Sequence, residues 1–120
     1  MPTRHVAIVD ETTGRTLAAE ARVAERFGER LRGLMFTARL RPGEGLVIVP
    51  CASIHMLGMR FPIDAVFFDR AGVVTKVVRG LRPWVGLAFA PRGTRGVAEL
   101  PLGAAVETEA GHRLRFEPPL

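Results

Sequence analysis

Tyrosine is absent from this chain of 120 residues, and cysteine and tryptophan occur once each, as Cys51 and Trp84. A single cysteine excludes an intramolecular disulfide and the paired Cys-x-x-Cys ligands of a structural zinc site. The shortage of large aromatics leaves little on which to stack bases. The formal charge of +5 and the sequence pI near 11.2 therefore do not make nucleic acid the favoured partner. Of the 17 basic residues only Lys76 is lysine, and a solvated, arginine-rich surface accounts for the excess. No run of about 18 apolar residues occurs, which excludes a helical membrane span. The first residues, Met1 to Asp10, lack the apolar core of a secretion signal. Together with the lone cysteine this points to the cytoplasm. A glycine-rich phosphate loop and a Ser-His-Asp set are also missing.

At 48% apolar the chain can bury one core, and its length predicts a single domain over residues 1–120. Short β-branched or apolar runs predict strands at Val6–Val9, Leu46–Val49, Ile63–Phe68, Val73–Val78, Val97–Leu100 and Arg113–Phe116. Alternation of Leu17, Ala19, Ala21 and Val23 against Glu20 and Arg22 favours a strand over 16–24, although the alanines would also suit a helix. Phe27, Leu31, Leu34 and Met35 fall on one helical face, and Glu25 and Glu29 complement the dipole at its start, predicting a helix over 25–35. Asp69-Arg70-Ala71-Gly72 reads as a hairpin turn. Residues 80–96, with Pro83, Gly86, Pro91 and Gly93, read as a long irregular connection. The fold class is thus mainly β (α+β): a single compact antiparallel domain, barrel-like or sandwich-like, with one short helix near residues 25–35.

Candidate chemistry centres on Ile54 to Asp69. Cys51, His55 and Asp64 are of the right types for a metal, but no second Cys or His lies close by, and a satisfied histidine beside an inert thiol is favoured. Cys51 and His55 as nucleophile and base lack a visible oxyanion donor or thiolate-stabilising charge. Methionines Met35, Met56 and Met59 could serve as soft copper ligands, but methionine more often fills core gaps. Asp64, at the start of an apolar strand, needs a partner if buried. Arg32 and Arg60 are the expected ones, as a forked ion pair, and the same logic covers Glu99. Residues 70–98 contain Arg70, Lys76, Arg79, Arg82, Arg92 and Arg95 with no acid, around Trp84. Arginines about one aromatic can grip an anionic or glycan-like ligand; the alternative is a solvated basic face with Trp84 plugging the core edge.

Three segments in order resemble the DUF192 family of small, uncharacterised prokaryotic proteins. They are Arg30-Leu31-Arg32-Gly33-Leu34-Met35-Phe36 with Leu40 and Glu44-Gly45-Leu46; Met56 with Pro62-Ile63-Asp64 and Phe67-Phe68-Asp69; and Glu99-Leu100-Pro101-Leu102-Gly103 with Gly111. The match runs over roughly residues 17–116. It implies a small, mainly antiparallel β domain with one short helix, in which Arg32, Gly33, Met35, Met56, Pro62, Glu99 and Gly103 form the structural motif. His55 stands where the family usually has Trp, and Leu57-Gly58-Met59 where it often has Lys-Asn-Thr. The resemblance implies no reaction and no cofactor.

The function expected is a non-enzymatic binding or accessory module. His55, Arg60, Asp64, Arg82 and Trp84 would border a pocket for a small anionic or polar ligand or a partner protein. The alternatives are a metal-binding protein, including a metal-dependent hydrolase, built on Cys51, His55 and Asp64, and a structural or self-associating domain.

Overall fold

The computed structural model describes residues 4–26, 30, 34 and 39–120. Its elements are strands: β1 (His5–Asp10), β2 (Arg15–Ala24), β3 (Glu44–Ile48), β4 (Ser53–His55), β5 (Ile63–Asp69), β6 (Val74–Leu81), β7 (Leu87–Phe89), β8 (Thr94–Pro101) and β9 (Leu114–Glu117). Seven of them form one sheet in the order β6-β5-β8-β3-β2-β1-β9, and β4 and β7 pair separately. The large sheet curls into a half-barrel within a compact, mainly β domain. It is not wholly antiparallel as expected, because β2 and β3 run parallel. The ambiguity over 16–24 resolves to strand. The helix expected over 25–35, with Arg32, Gly33 and Met35, falls largely outside the described residues.

The central strands are covered on both faces, which is why they read as continuous apolar runs rather than as alternation. In β5, Val66 and Phe68 join Val47, Ala98 and Leu100 on one side. Ile63, Ala65 and Phe67 join Leu46, Ile48 and Val97 on the other. The first face is closed by β1, β2 and β9 as the sheet curls. Phe116 of β9 meets Phe68 with ring centroids 4.9 Å apart. The second face is closed by the β4–β7 ribbon, whose Ile54 and Ala88 turn inward beside Met56 and Met59. Phe67 and Phe68 are fully buried on opposite faces, and truncating either to Ala is expected to cost about 3–5 kcal/mol.

The β5–β6 turn lies where the sequence places it. The Asp69 carboxylate accepts the N–H groups of Ala71 and Val73, each at 2.9 Å. Gly72 adopts φ 82°, and a Cβ there would come within 2.6 Å of the Leu114 carbonyl oxygen, so only glycine fits. The stretch 80–96 is less irregular than expected. It holds the end of β6, all of β7 and the start of β8.

Candidate functional site

The β4–β7 ribbon has two unlike faces. Opposed residues of an antiparallel pair share a face, and the register pairs Ser53 with Phe89, Ile54 with Ala88 and His55 with Leu87. Ile54 and Ala88 are buried, so Ser53, His55, Leu87 and Phe89 all face out, and all are exposed. The ribbon is fastened at both ends. Cys51 donates its N–H to the Arg95 carbonyl at 3.0 Å, and Met56 donates to Gly86 at 2.9 Å.

The Arg82–Gly86 turn is locked against Met56. Gly86 donates its N–H to the Arg82 carbonyl at 3.0 Å, and Trp84 donates to the Met56 carbonyl at 2.8 Å. A Cβ on Gly86 would lie 2.6 Å from the Arg82 carbonyl oxygen and 2.7 Å from the Met56 side chain. The tight turn drives Trp84 to φ 68°, the sole positive φ at a non-glycine among the described residues. A left-handed conformation costs a large side chain about 1–2 kcal/mol. The turn nevertheless leaves Trp84 60% exposed, with Val85 at 77%. Leu57, next in the chain to the bonded Met56, and Leu87 and Phe89 of the following β7 are exposed as well. Arg60, Arg82 and Arg92, all exposed, lie along the same segments, which contain no acid between residues 51 and 63 or between 70 and 98.

His55, Arg60, Arg82 and Trp84 are all exposed, whereas Asp64 is buried. Asp64 pairs with Leu100 across β5–β8 and so points to the face opposite the ribbon, where it is 1% exposed. Its carboxylate accepts the backbone N–H groups of Gly80 at 3.0 Å, Gly103 at 3.0 Å and Ala105 at 3.1 Å. These amides replace the expected arginine fork with Arg60; Arg32 lies outside the described residues. Gly103 adopts φ 91°, a backbone conformation that favours glycine. Asp64 is a tie between β5, the end of β6 and the 101–105 turn.

The metal arrangement is not formed either. Among the described residues no three His, Cys, Asp or Glu side chains gather as a ligand set. Cys51 is half-buried, and its Sγ lies 3.1 Å from the Ser53 carbonyl oxygen. Burial pushes its thiol up, the Ser53 contact and Arg30 oppose this, and the Glu99 charge adds to it. A raised thiol is a poor ligand and a poor nucleophile. Met56 and Met59 are core residues. Pro62 is half-buried just before β5. Glu99 is 5% exposed; among the described residues it has no hydrogen-bond or ion-pair partner, and burial alone pushes it up to about 7.

One polar cluster escaped the sequence. Asp10, fully buried, lies 2.9 Å from His112 Nδ1 and accepts the Thr108 hydroxyl at 2.9 Å and the Thr12 N–H at 3.0 Å. Burial pushes its carboxyl up, but the bonds from His112, Thr108 and Thr13 outweigh this and leave it below its ordinary value. Its side-chain partners Thr108 and His112 lie about a hundred residues away, so no local spacing announces the cluster. A surface cleft lined by Arg4, Glu25, Pro50, Arg70 and Arg95 contains none of the expected pocket residues. No helix among the described residues is long and apolar enough to cross a membrane.

Comparison with known proteins agrees with the motif order. The chain is 30% identical over 118 residues to a UPF0127 protein of Thermococcus sibiricus, covering 92% of this chain and 74% of that protein. It superposes on a protein of unknown function from Novosphingobium aromaticivorans with a TM-score of 0.81 at 22% identity, covering 94% of this chain and 84% of the other. A Sinorhizobium meliloti protein described as a candidate transcription regulator superposes with a TM-score of 0.80 at 21% identity, covering 97% and 95%. At these identities the two structures establish the fold alone. The model of the DUF192 family, described as "Uncharacterized ACR", matches residues 8–116, and the chain belongs to that family.

Proposed function

We propose that this chain is a non-enzymatic binding module, a single DUF192 domain over residues 1–120 acting in the cytoplasm. It would dock a partner protein on the outer face of the β4–β7 ribbon. The observation that carries this reading is Trp84, held at φ 68° and 60% exposed. Backbone strain and exposed apolar surface both oppose folding, and here both converge on one turn. Such features persist where a surface has a use outside the fold. The exposed Leu57, Val85, Leu87 and Phe89 would supply the apolar centre of an interface, and the exposed Arg60, Arg82 and Arg92 its polar rim. Asp64 takes no part, because its carboxylate is fully used by backbone donors.

The test is affinity isolation from native cell extract, comparing the wild-type chain with Trp84→Ala and Arg82→Ala. A protein recovered in stoichiometric amount with the wild type and lost with both variants is the expected result. A partner retained equally by both variants overturns the assignment of this face.

A further inference from the structure

The ribbon that carries this face also carries unused backbone. In the β4–β7 ladder Ala90 donates its N–H to the Ala52 carbonyl at 2.7 Å, and Met56 donates to Gly86 at 2.9 Å. With Ile54 opposite Ala88 between them, these bonds set the alternation of the ladder. Gly86, Ala88 and Ala90 turn their backbone groups toward β4, and Leu87 and Phe89 turn theirs to the other edge. The ribbon has only two strands, so no strand among the described residues occupies that edge. The Lys76 ammonium caps the Phe89 carbonyl oxygen at 2.9 Å, a common way of blunting an edge. Among the described residues the N–H and C=O of Leu87 and the N–H of Phe89 have no partner.

Three kinds of occupant can be compared. A second copy of this chain would set arginine against arginine, a repulsive match. A lipid surface would bury the Leu87 backbone groups without partners, which hydrocarbon does not tolerate. An extended peptide supplies both what the edge lacks and what the charge demands. Its main chain pairs with Leu87 and Phe89, and its alternate side chains lie beside theirs. Arg82 precedes β7 and Arg92 follows it, both exposed, and residues 70–98 carry no acid, so the charge around the strand favours an acidic peptide. We propose that β7 takes an extended acidic segment of a partner protein as a third strand, apolar at its centre and acidic at both ends. This rests on the binding-face reading and specifies its partner.

The probe is a short synthetic peptide, acidic at both ends with Val-Thr-Val between them. Trp84 is the sole tryptophan of the chain, so its emission reports on this site directly. The expected result is a saturable blue shift that weakens about tenfold or more in the Arg82→Glu, Arg92→Glu double variant. The shift should disappear when the central main-chain nitrogens of the peptide are methylated. A methylated peptide that binds as well as the parent overturns strand addition and leaves the face intact. So does a shift produced by phosphatidylserine vesicles and not by the peptide. Silence with every probe also overturns strand addition, and the native-extract experiment then judges the face on its own.

Discussion

The backbone N–H of Trp84 is bonded to the carbonyl of Met56 at 2.8 Å, and this joins the sole non-glycine residue at positive φ among those described to one of the most buried. Met56 is 1% exposed and Trp84 60%. The core thus fixes the height and direction of a turn whose side chain it does not use.

That arrangement predicts an unusual order of stability at position 84. Glycine normally loses to alanine, but at φ 68° the order should reverse. Trp84→Gly is expected to be more stable than Trp84→Ala by about 1 kcal/mol, read from urea unfolding. An alanine variant as stable as the glycine one would show that the turn relaxes and that no strain is stored there.

Glu99 predicts a pH dependence of the opposite sense to most carboxylates. The folded chain holds the proton up to about 7, whereas the unfolded chain releases it near the ordinary value of 4.5. The folded state binds more protons across that window, so stability falls as pH rises through it and levels off above. Relative to Glu99→Gln, the wild type should lose on the order of 3 kcal/mol across that interval. Parallel denaturation curves at pH 5 and pH 8 for the two proteins decide it. An unchanged difference means that the carboxyl finds a partner on ionising.

Asp10 behaves in the usual sense. Its carboxyl lies below the ordinary 3.8 once the His112, Thr108 and Thr13 bonds have outweighed burial. Its stabilisation is present above that value and is lost as pH falls through the folded one. The stability gap between the wild type and Asp10→Asn should close on acidification below 3.8. Thr108→Val, which removes a 2.9 Å bond, should cost about 1 kcal/mol at neutral pH.

Asp64→Ala tests whether this residue is a tie or a ligand. Removing it leaves the Gly80, Gly103 and Ala105 N–H groups without their acceptor, at an expected cost of about 3 kcal/mol. The Trp84 face should be unaffected. A variant of normal stability that no longer bound a partner would return Asp64 to the site.

Much of this could be read from the residues. Leu46–Val49, Ile63–Phe68 and Val97–Leu100 announced central strands because both of their faces are buried and the apolar run is unbroken. The Asp69–Gly72 turn was legible through its own chemistry. The β4–β7 ribbon was not, because strands of three residues are too short for a period and arise only by pairing across more than thirty residues. His55, Arg60, Arg82 and Trp84 stand out in the sequence by their chemistry, and all four are exposed. Leu57, Val85, Leu87 and Phe89 were passed over, since an apolar residue in sequence looks like core until the fold leaves it outside. Asp64 was assigned an arginine because charges are visible in a sequence and the directions of backbone amides are not.

The most direct measurement places a photo-cross-linking amino acid at Val85, the most exposed residue of the face, and at Leu102 as a control. Both are exposed apolar positions, at 77% and 60%, but only Val85 adjoins Trp84. Irradiation in the native cells should give one adduct of defined mass from Val85 and none from Leu102. Equal labelling at both positions, or labelling at Leu102 alone, contradicts a binding face centred on Trp84.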